Sequence, residues 1–294
     1  MEVPDSEGTT IAGQAGAGPD TAGPDTAGPD TAGPDTAGPD TAGQAGAGQA
    51  GAGQAGGPDT VAGRYDRLAP VWRASTDDNL WNEHLERRPV RELLYEPLAG
   101  TTVLDAGCAA GAHSQWLLDR GCQVTGIDIS PAMIEAARLR CAGRGEFLVA
   151  DFAQPLPLPD GSFDGVLSSL ALHHVRDIGG PLAEFARVLR PAGWLVLSLD
   201  HPAAPYSWAA RPDYFATELI TQTWSKAGVT VRQSFWRRPL EAVVDELGRA
   251  GFLLERIREP RLDADARRRF GAEAKAIEGV PFFIIYRAVL ARRN

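Results

Sequence analysis

The sequence predicts an α/β fold in which a largely parallel sheet carries helices on both of its faces. Three observations lead to this prediction. From Thr101 onward, short apolar runs alternate with segments of helical pattern. The first apolar run ends in a glycine-rich turn that opens a helix, which is typical of a ligand-binding turn in a parallel sheet. Before Arg64, by contrast, the chain is a low-complexity repeat with almost nothing large to bury.

The elements of the sheet follow one another in a regular order. Buried apolar runs predict strands at 102–106, 123–128, 146–150, 163–169 and 193–200. Helical patterns between them predict helices at 112–120, 131–140 and 181–189, and Ser130-Pro131 supplies a cap and a first residue for the second of these. A further helix is predicted at 240–249, followed by strands at 252–258 and 282–290. Strands joined by helical crossovers run parallel, so their carboxyl ends share the edge at which such folds bind ligands.

Residues 1–63 are predicted to form a disordered tail. The pentad Gly-Pro-Asp-Thr-Ala occurs five times between Gly18 and Ala42, and no Lys, Arg or aromatic residue precedes Arg64. Such a segment buries too little apolar surface to offset its ordering entropy, and a proline in every pentad excludes a continuous helix. Glycine does not recur at every third position, which excludes collagen. A tolerated extension is the simpler interpretation, and a role in partner binding or secretion is the alternative.

The charge and cysteine content restrict the class of protein further. Nine of the 38 acidic residues lie in the tail, so acidic and basic residues are equal in number, at 29 each, from Arg64 onward. A neutral domain gives no support for a nucleic-acid surface. Three cysteines without a C-x-x-C pair suit a reducing compartment, and no signal peptide or membrane-spanning run is visible. The sequence therefore predicts a cytoplasmic protein with neither a nucleic-acid nor a membrane partner.

The part of the chain from residue 64 to 294 is long enough for one large domain. It divides into a helical cap at 64–100, a binding core at 101–200, an insertion at 201–238 and the last elements of the sheet at 239–294. Aromatic residues are dense in or beside the insertion, which has no clear strand–helix repeat: Tyr206, Trp208, Tyr214, Phe215, Trp224, Phe235 and Trp236. The insertion is predicted to be a lid over a substrate pocket, with an ordinary packed excursion as the alternative.

The turn after the first strand carries the clearest binding signal. Its glycines, Gly107 and Gly111, let the backbone approach a ligand, and the following helix offers free N–H groups. Asp128 follows Gly107 by 21 residues and ends the second strand, where an acid accepts hydrogen bonds from ribose hydroxyls. Asp151 and Phe152 close the third strand, in a position for an adenine ring. A strand–turn–helix with two glycines by itself suits any nucleoside or dinucleotide.

The motifs together resemble those of class I S-adenosylmethionine-dependent methyltransferases, in particular the small-molecule, UbiE-like branch. The run from Val103 to Gly111, VLDAGCAAG, resembles motif I, whose usual form is (V/L)-L-D-x-G-C-G-x-G. Segments 156–164 and 172–175 resemble the region after motif II, and 189–197 resembles motif III. Two positions depart from the pattern, because Ala109 and Ala192 replace motif glycines. A nicotinamide enzyme would show G-x-G-x-x-G, whose second and third glycine positions hold alanine here.

The resemblance implies a Rossmann-like seven-stranded sheet and transfer of a methyl group from S-adenosylmethionine to an O, N or C nucleophile of a small molecule, such as a specialised metabolite. A protein of this fold that binds S-adenosylmethionine without methylating, or an NAD-dependent oxidoreductase, is the alternative. The family's pattern maps its cofactor contacts onto twelve residues of this chain. They are Tyr65, Asp105, Gly107, Cys108, Ala109, Gly111, Asp128, Ile129, Met133, Asp151, Phe152 and Ser169.

Two histidines are candidates for the general base on the acceptor side. His173 follows the fourth strand and His201 follows the fifth, so both lie at the edge where the acceptor is expected. For each, the alternative is a histidine that only packs or bonds to the backbone. The neighbouring His174 is expected to point away from the site. No spacing of His, Cys or acidic residues predicts a metal site, and the sequence leaves the oligomeric state open.

Overall fold

The computed structural model describes residue 57 and residues 59–205 and 213–292 of the 294-residue chain. Nearly all of the predicted tail, and Tyr206 and Trp208 of the predicted lid, lie outside the described residues. The first helix, α1, covers Val61–Thr76 and is capped by Thr60, whose side chain accepts a hydrogen bond from the Gly63 backbone N–H at 3.1 Å. The boundary predicted at residue 63 is therefore corrected, because Val61–Gly63 belong to this helix.

The centre of the fold is a seven-stranded sheet with strand order β3-β2-β1-β4-β5-β9-β8. Its members are β1 (Thr102–Ala106), β2 (Gln123–Asp128), β3 (Glu146–Val149), β4 (Phe163–Ser169), β5 (Leu189–Asp200), β8 (Phe252–Arg258) and β9 (Phe283–Leu290). The first five strands are parallel, and β9 runs antiparallel to both β5 and β8. The order reverses between β1 and β4, which is the point where ligands of such sheets bind. The Rossmann-like sheet expected from the family resemblance is confirmed.

Helices surround this sheet. They are α2 (Arg88–Arg91), α3 (Ala112–Leu118), α4 (Pro131–Arg140), α5 (Gly179–Val188), α6 (Leu240–Arg249) and α7 (Ala264–Ala276). A π-helix at Leu80–Arg87 leads into α2, and a 3₁₀ turn at Leu172–His174 follows β4. The helices predicted at 131–140 and 240–249 have the predicted bounds, and those at 112–120 and 181–189 differ by up to two residues at their ends. Among the described residues, no helix is both long and apolar enough to cross a bilayer.

Apolar side chains pack against both faces of the sheet. On one face, Phe185 of α5 and Leu247 of α6 contact a buried cluster that includes Leu197 of β5. On the other, Leu117 of α3 packs with Val196, the neighbour of Leu197 in the same strand. Successive strand residues point to opposite faces, and burying each such side chain stabilises the fold by about 1.5–3 kcal/mol. Helices therefore cover both faces, as the alternation of elements predicts.

Residues 218–237 form a separate two-stranded hairpin that the sequence analysis does not predict. Its strands are β6 (Glu218–Lys226) and β7 (Val229–Arg237), joined by Ala227 and Gly228. Both linking residues have positive φ, 46° and 80°, as a type I′ turn requires. The Arg67 side chain of α1 donates a 2.7 Å hydrogen bond to the Thr230 carbonyl, which ties the hairpin to that helix. Residues 218–237 of the predicted lid thus form an ordered hairpin packed on α1.

Candidate cofactor and acceptor site

The turn between β1 and α3 is held in a backbone conformation that favours glycine. Gly107, Ala109 and Gly111 have positive φ, at 84°, 45° and 76°. The Gly107 backbone N–H donates to the Ile127 carbonyl at 2.8 Å, which fixes the turn against the end of β2. A Cβ on Gly107 would lie 2.3 Å from the Ala171 Cβ, so no larger residue fits there. Ala109 keeps the left-handed conformation of the motif glycine that it replaces.

Asp128 lies beside this turn with both carboxylate oxygens fixed by the backbone. Oδ2 accepts a hydrogen bond from the Ala109 N–H at 2.9 Å, and Oδ1 accepts one from the Ser130 N–H at 2.9 Å. Burial, and to a smaller extent the nearby acids Asp105 and Asp66, raise the pKa of Asp128 to about 6 against the opposing effect of the two backbone hydrogen bonds. Each oxygen keeps lone-pair capacity for a further donor, such as a ribose hydroxyl. The position predicted from the sequence is therefore chemically suited to that role.

Asp105 and Asp151 have different surroundings. Asp105 is fully buried and accepts a 2.5 Å hydrogen bond from the Ser114 hydroxyl, in the first turn of α3, and burial raises the pKa of Asp105. Asp151 is only half-buried, and its Oδ1 accepts from the Ala153 N–H at 2.8 Å. The Phe152 ring packs edge-on to Phe185, with 6.0 Å between the ring centroids. Phe152 also reaches the Gly107 side of the turn, so the third strand delivers this pair to the same edge as motif I.

Two consecutive residues of α1 anchor that helix over the site. The Asp66 carboxylate accepts hydrogen bonds from the Ser130 hydroxyl at 2.5 Å and the Ala132 N–H at 3.2 Å, at the start of α4. The Tyr65 hydroxyl lies 2.9 Å from Nε2 of His174, whose Nδ1 lies 2.9 Å from the Ser234 carbonyl. A carbonyl only accepts, so Nδ1 carries the proton and Nε2 accepts from Tyr65. The expectation that His174 points away from the site is therefore wrong.

The remaining residues predicted to contact the cofactor, which have different surroundings, are Cys108, Met133, Ile129 and Ser169. Cys108 and Met133 are buried in packing clusters, the former with Phe147 of β3 and the latter with Trp72 of α1. Their side chains therefore serve the helix–sheet packing behind the turn. Ile129 is half-buried, directly after Asp128. Ser169, at the end of β4, is engaged by a carboxylate that the sequence analysis does not single out.

That carboxylate is Glu86, which lies in the π-helix and is almost fully buried. Its Oε1 accepts hydrogen bonds from the hydroxyls of Ser169 at 2.7 Å and Ser198 at 2.6 Å, and its Oε2 lies 3.6 Å from Nε2 of His113. Burial alone would raise the pKa of this carboxyl, but His113 and the two serines together hold it below its usual value. Glu86 thus joins the helical cap to β4, β5 and α3. Nothing in its polar sequence neighbourhood distinguishes it from a surface residue.

His173 forms a pair with a carboxylate at the end of the neighbouring strand. Its Nδ1 lies 2.9 Å from Oδ2 of Asp200, the last residue of β5. The ring is buried, and Phe235 of the hairpin lies against it with 5.7 Å between ring centroids. The two atoms lie within ion-pair distance, but the contact lacks hydrogen-bond geometry. A histidine beside a carboxylate is a candidate general base.

His201 has both ring nitrogens engaged. Nε2 lies 2.9 Å from Oε1 of Glu259, and Nδ1 accepts a 3.1 Å hydrogen bond from the Ala203 N–H. Burial lowers the pKa of His201, although the nearby Glu259 opposes this effect. A proton could reach either nitrogen only if a hydrogen bond broke. Of the two predicted bases, the geometry favours His173.

The charge around the site suits a cationic ligand. Carboxylates from four different elements converge here, at Asp66, Asp105, Asp128 and Asp200, and S-adenosylmethionine carries a positive sulfonium. The Asp128 carboxylate, which two backbone N–H groups hold in place, fits the ribose of this cofactor, and the glycine turn fits its amino-acid end. The residues present therefore fit this cofactor. Across residues 59–205 and 213–292, no group of three or more His, Cys or acidic side chains could hold a metal ion.

Comparison with known proteins agrees with this architecture. Residues 104–197 match the methyltransferase domain family. The chain is 43% identical to a demethylmenaquinone methyltransferase of Tropheryma whipplei over 105 residues, which covers 35% of this chain and 44% of that protein. It is 32% identical to the ubiquinone biosynthesis O-methyltransferase of Thiobacillus denitrificans over 173 residues, which covers 53% of this chain and 70% of that protein. Several other curated relatives are matched over only 38% to 54% of their length.

Solved structures share the fold as well. An S-adenosylmethionine-dependent methyltransferase from Mesorhizobium loti superposes with a TM-score of 0.56 at 26% identity, over 69% of this chain and 96% of that one. The (4+2)-cyclase SpnF superposes with a TM-score of 0.56 at 18% identity, over 79% of this chain and 96% of that one, a likeness of fold alone. Ordered motifs, sheet topology and these relatives agree. The chain belongs to the class I S-adenosylmethionine-dependent methyltransferases.

Proposed function

We propose that this protein transfers the methyl group of S-adenosylmethionine to a hydroxyl group of a small-molecule acceptor, with His173 as the general base. The observation that carries the proposal is the 2.9 Å contact between Nδ1 of His173 and Asp200, at the carboxyl ends of adjacent strands. A base is needed when the acceptor arrives protonated, as an alcohol or phenol does. The relative from Thiobacillus denitrificans, which is named an O-methyltransferase, supports oxygen as the acceptor atom.

Residues of the first three strands would hold the cofactor. Asp128 is placed to accept hydrogen bonds from the ribose hydroxyls, and Asp151 with Phe152 to contact the adenine. Gly107 and Gly111 keep the turn free of side chains, and Asp105 lies beneath it, oriented by Ser114. When bound, S-adenosylmethionine supplies an electrophilic methyl group. The protein's part is to align the acceptor with that group in a site that excludes water.

The proton of the acceptor hydroxyl would pass to Nε2 of His173. Asp200 lies at Nδ1 and stabilises the charged imidazolium that results, as a carboxylate does in other histidine–acid pairs. α1 and the hairpin would form the cover, because Tyr65, His174 and Ser234 join them in one hydrogen-bonded chain. The lid role predicted for the insertion is therefore proposed for this hairpin together with α1.

The test separates cofactor binding from methyl transfer. Calorimetric titration with S-adenosylmethionine and with NAD decides which cofactor binds. Incubation with S-adenosylmethionine and a panel of phenols, hydroxy acids and amines, followed by mass spectrometry of S-adenosylhomocysteine and methylated products, decides whether methyl transfer occurs. Binding without any product would favour the alternative of a protein of this fold that does not methylate. Binding of NAD alone would favour the oxidoreductase alternative and contradict the proposal.

We also propose a cytoplasmic location and a small-molecule partner. Cys108, Cys122 and Cys141 are all free thiols buried in the fold, which suits a reducing compartment. The equal numbers of acidic and basic residues from Arg64 onward lend no support to a nucleic-acid partner. Residues 1–56 are proposed to be dispensable for the activity, since their repeat contains almost no residue that could join a core.

A further inference from the structure

The inner face of the hairpin covers two parts of the proposed site. Side chains of β7 alternate in burial, so Val231, Gln233 and Phe235 point to the same, buried side. Val231 belongs to a packing cluster that Ala109 of the motif I turn also joins. Phe235 lies against the His173 ring, with 5.7 Å between the ring centroids. Gln233 therefore stands between the cofactor turn and the proposed base, about 7 Å along the strand from each of its two neighbours on this face.

Gln233 carries a fully buried amide whose oxygen and nitrogen both lack a hydrogen-bond partner. The residue is 0% exposed, and neither Oε1 nor Nε2 bonds to any described residue. Its cross-strand neighbour Gln222 differs, because Oε1 of Gln222 accepts a 3.3 Å hydrogen bond from Nε1 of Trp224. Burying an amide without a partner is unfavourable, and buried polar side chains are normally satisfied. Both polar atoms of Gln233 are thus available to a ligand at this place.

The surroundings of Tyr65 show that this part of the hairpin faces the reacting groups. The Tyr65 hydroxyl is linked through one histidine ring to the carbonyl of Ser234, the residue after Gln233. Burial, and to a smaller extent the charges of Asp128 and Asp200, raise the pKa of Tyr65. Tyr65 is therefore close to both the proposed ribose anchor and the carboxylate beside the proposed base. Gln233 is placed next to this junction of the cofactor side and the acceptor side.

The hairpin is attached to the domain in a way that lets a ligand enter beneath it. It forms its own two-stranded sheet and pairs with none of the seven described strands of the main sheet. Hydrogen bonds tie it to α1 through Arg67 and Thr230, and to the 3₁₀ turn through His174 and Ser234. Lifting the hairpin breaks such bonds but leaves every strand pairing of the main sheet intact. The buried side of Gln233 then becomes accessible to an acceptor.

We propose that Gln233 selects the methyl acceptor by binding a neutral group that both donates and accepts hydrogen bonds, such as a second hydroxyl or a carboxamide. This inference rests on the proposed function, because it names the substrate class of that same site. Nε2 of Gln233 donates and Oε1 accepts, so one such group satisfies both atoms, whereas a ketone or a carboxylate satisfies only the nitrogen. An analogue without the group leaves the buried amide unpaired, and a site of this kind rejects such analogues strongly. The apolar Val231 and Phe235 on either side suit a neutral aromatic remainder.

The test uses two pairs of phenols of matched shape that differ in this second group: 3-hydroxybenzamide with 3-hydroxyacetophenone, and resorcinol with 3-methylphenol. Each is titrated calorimetrically into the full-length protein with S-adenosylhomocysteine present, so that no methyl transfer occurs. We expect the first member of at least one pair to bind at least tenfold more tightly than its partner. Gln233→Met should abolish this preference and leave the melting temperature unchanged or higher, because it removes an unpaired amide. Gln123→Met, the same change at an exposed glutamine at the start of β2, is the control and should keep the preference.

The ratio of affinities within each pair decides the proposal. A wild-type preference below tenfold in both pairs, binding of none of the four phenols, or a preference that survives in Gln233→Met would overturn it. If Gln233→Met fails to fold, Gln233→Asn decides by the same ratio, since it withdraws the amide by one methylene group. Incubation with S-adenosylmethionine then tests the proposed function separately. A preference that Gln233 controls, with no S-adenosylhomocysteine formed, would refute the proposed function and leave a binding site for such phenols. Equal methylation of both members of each pair would retain the proposed function and overturn this inference.

Discussion

Replacing Asp128 by asparagine removes a carboxylate whose surroundings oppose its own ionisation. Burial raises the pKa of Asp128 from 3.8 to about 6. Because the folded protein holds this proton more tightly than the unfolded chain, the group stabilises the fold below pH 3.8, and this stability is lost as pH rises through 6. A shift of about two pKa units corresponds to about 3 kcal/mol in total. Between pH 5 and pH 8 the loss is about 1.4 kcal/mol.

Asp128→Asn should lack this part of the pH dependence. Asparagine has one carbonyl oxygen, so it keeps a hydrogen bond from either Ala109 or Ser130 and turns its amide N–H groups toward the other donor. That mismatch costs about 1–3 kcal/mol at every pH. The lost hydrogen bond lowers the free energy of unfolding by the same amount at every pH. The informative quantity is therefore how strongly the free energy of unfolding depends on pH in the variant compared with the wild type.

Cofactor affinity should follow the same ionisation with the opposite sign. The ionised form is the stronger acceptor for ribose hydroxyls, so wild-type affinity for S-adenosylmethionine should fall about tenfold from pH 8 to pH 5. Asp128→Asn should bind S-adenosylmethionine weakly at both pH values. The assays are denaturant unfolding and calorimetric titration at pH 5, 6, 7 and 8, with Asp119→Asn, an exposed acid bound to Arg144, as the control. Parallel stability curves and unchanged affinity in Asp128→Asn would refute both the buried, protonation-prone carboxylate and its role as ribose anchor.

Three further predictions follow from other residues. His173→Ala should lower kcat by about 10²–10⁴ with unchanged cofactor affinity, whereas His201→Ala should lower the melting temperature and leave kcat near wild type. Equal turnover in the two variants across pH 6 to 9 would contradict the assignment. Ala109→Gly and Ala192→Gly should each stabilise the fold by about 1 kcal/mol in denaturant unfolding, since both alanines have positive φ, at 45° and 65°. Deleting residues 1–56 should leave melting temperature and cofactor affinity unchanged, and a large fall in either would show that the tail contacts the domain.

The sequence predicts those parts of the fold that depend on neighbours in the chain. The strand, turn and helix around Gly107 are local, so residue pattern and glycine spacing locate them. The hairpin at 218–237 also has a local signal. In each strand, residues such as Thr221 and Thr223 alternate with residues that point to the opposite face, and Ala227-Gly228 stands between the two strands. Alanine at the first turn position hides that signal, since type I′ turns usually carry Asn, Asp or Gly there.

Contacts between distant segments explain what the sequence analysis misses. Glu86 accepts hydrogen bonds from Ser169 and Ser198, which lie 83 and 112 positions further along the chain, in two different strands. Its burial becomes apparent only when the π-helix lies on the sheet. Asp66 contacts Ser130 across 64 positions for a similar reason. Both are acids in polar stretches, where an exposed side chain is the ordinary expectation. The three-dimensional fold, rather than residue type, decides that they are buried and bonded.

For two histidines that are adjacent in the chain, contacts with distant segments also decide which group each one meets. In the 3₁₀ turn after β4, Nδ1 of His173 meets the Asp200 carboxylate, whereas Nδ1 of His174 meets the Ser234 carbonyl, 60 positions along the chain. A neutral carbonyl offers little compensation for burial, which lowers the pKa of His174 to about 3. His174 therefore remains neutral and holds Tyr65 in place. The two neighbouring histidines thus have different partners, a difference that residue type and position along the chain leave undecided.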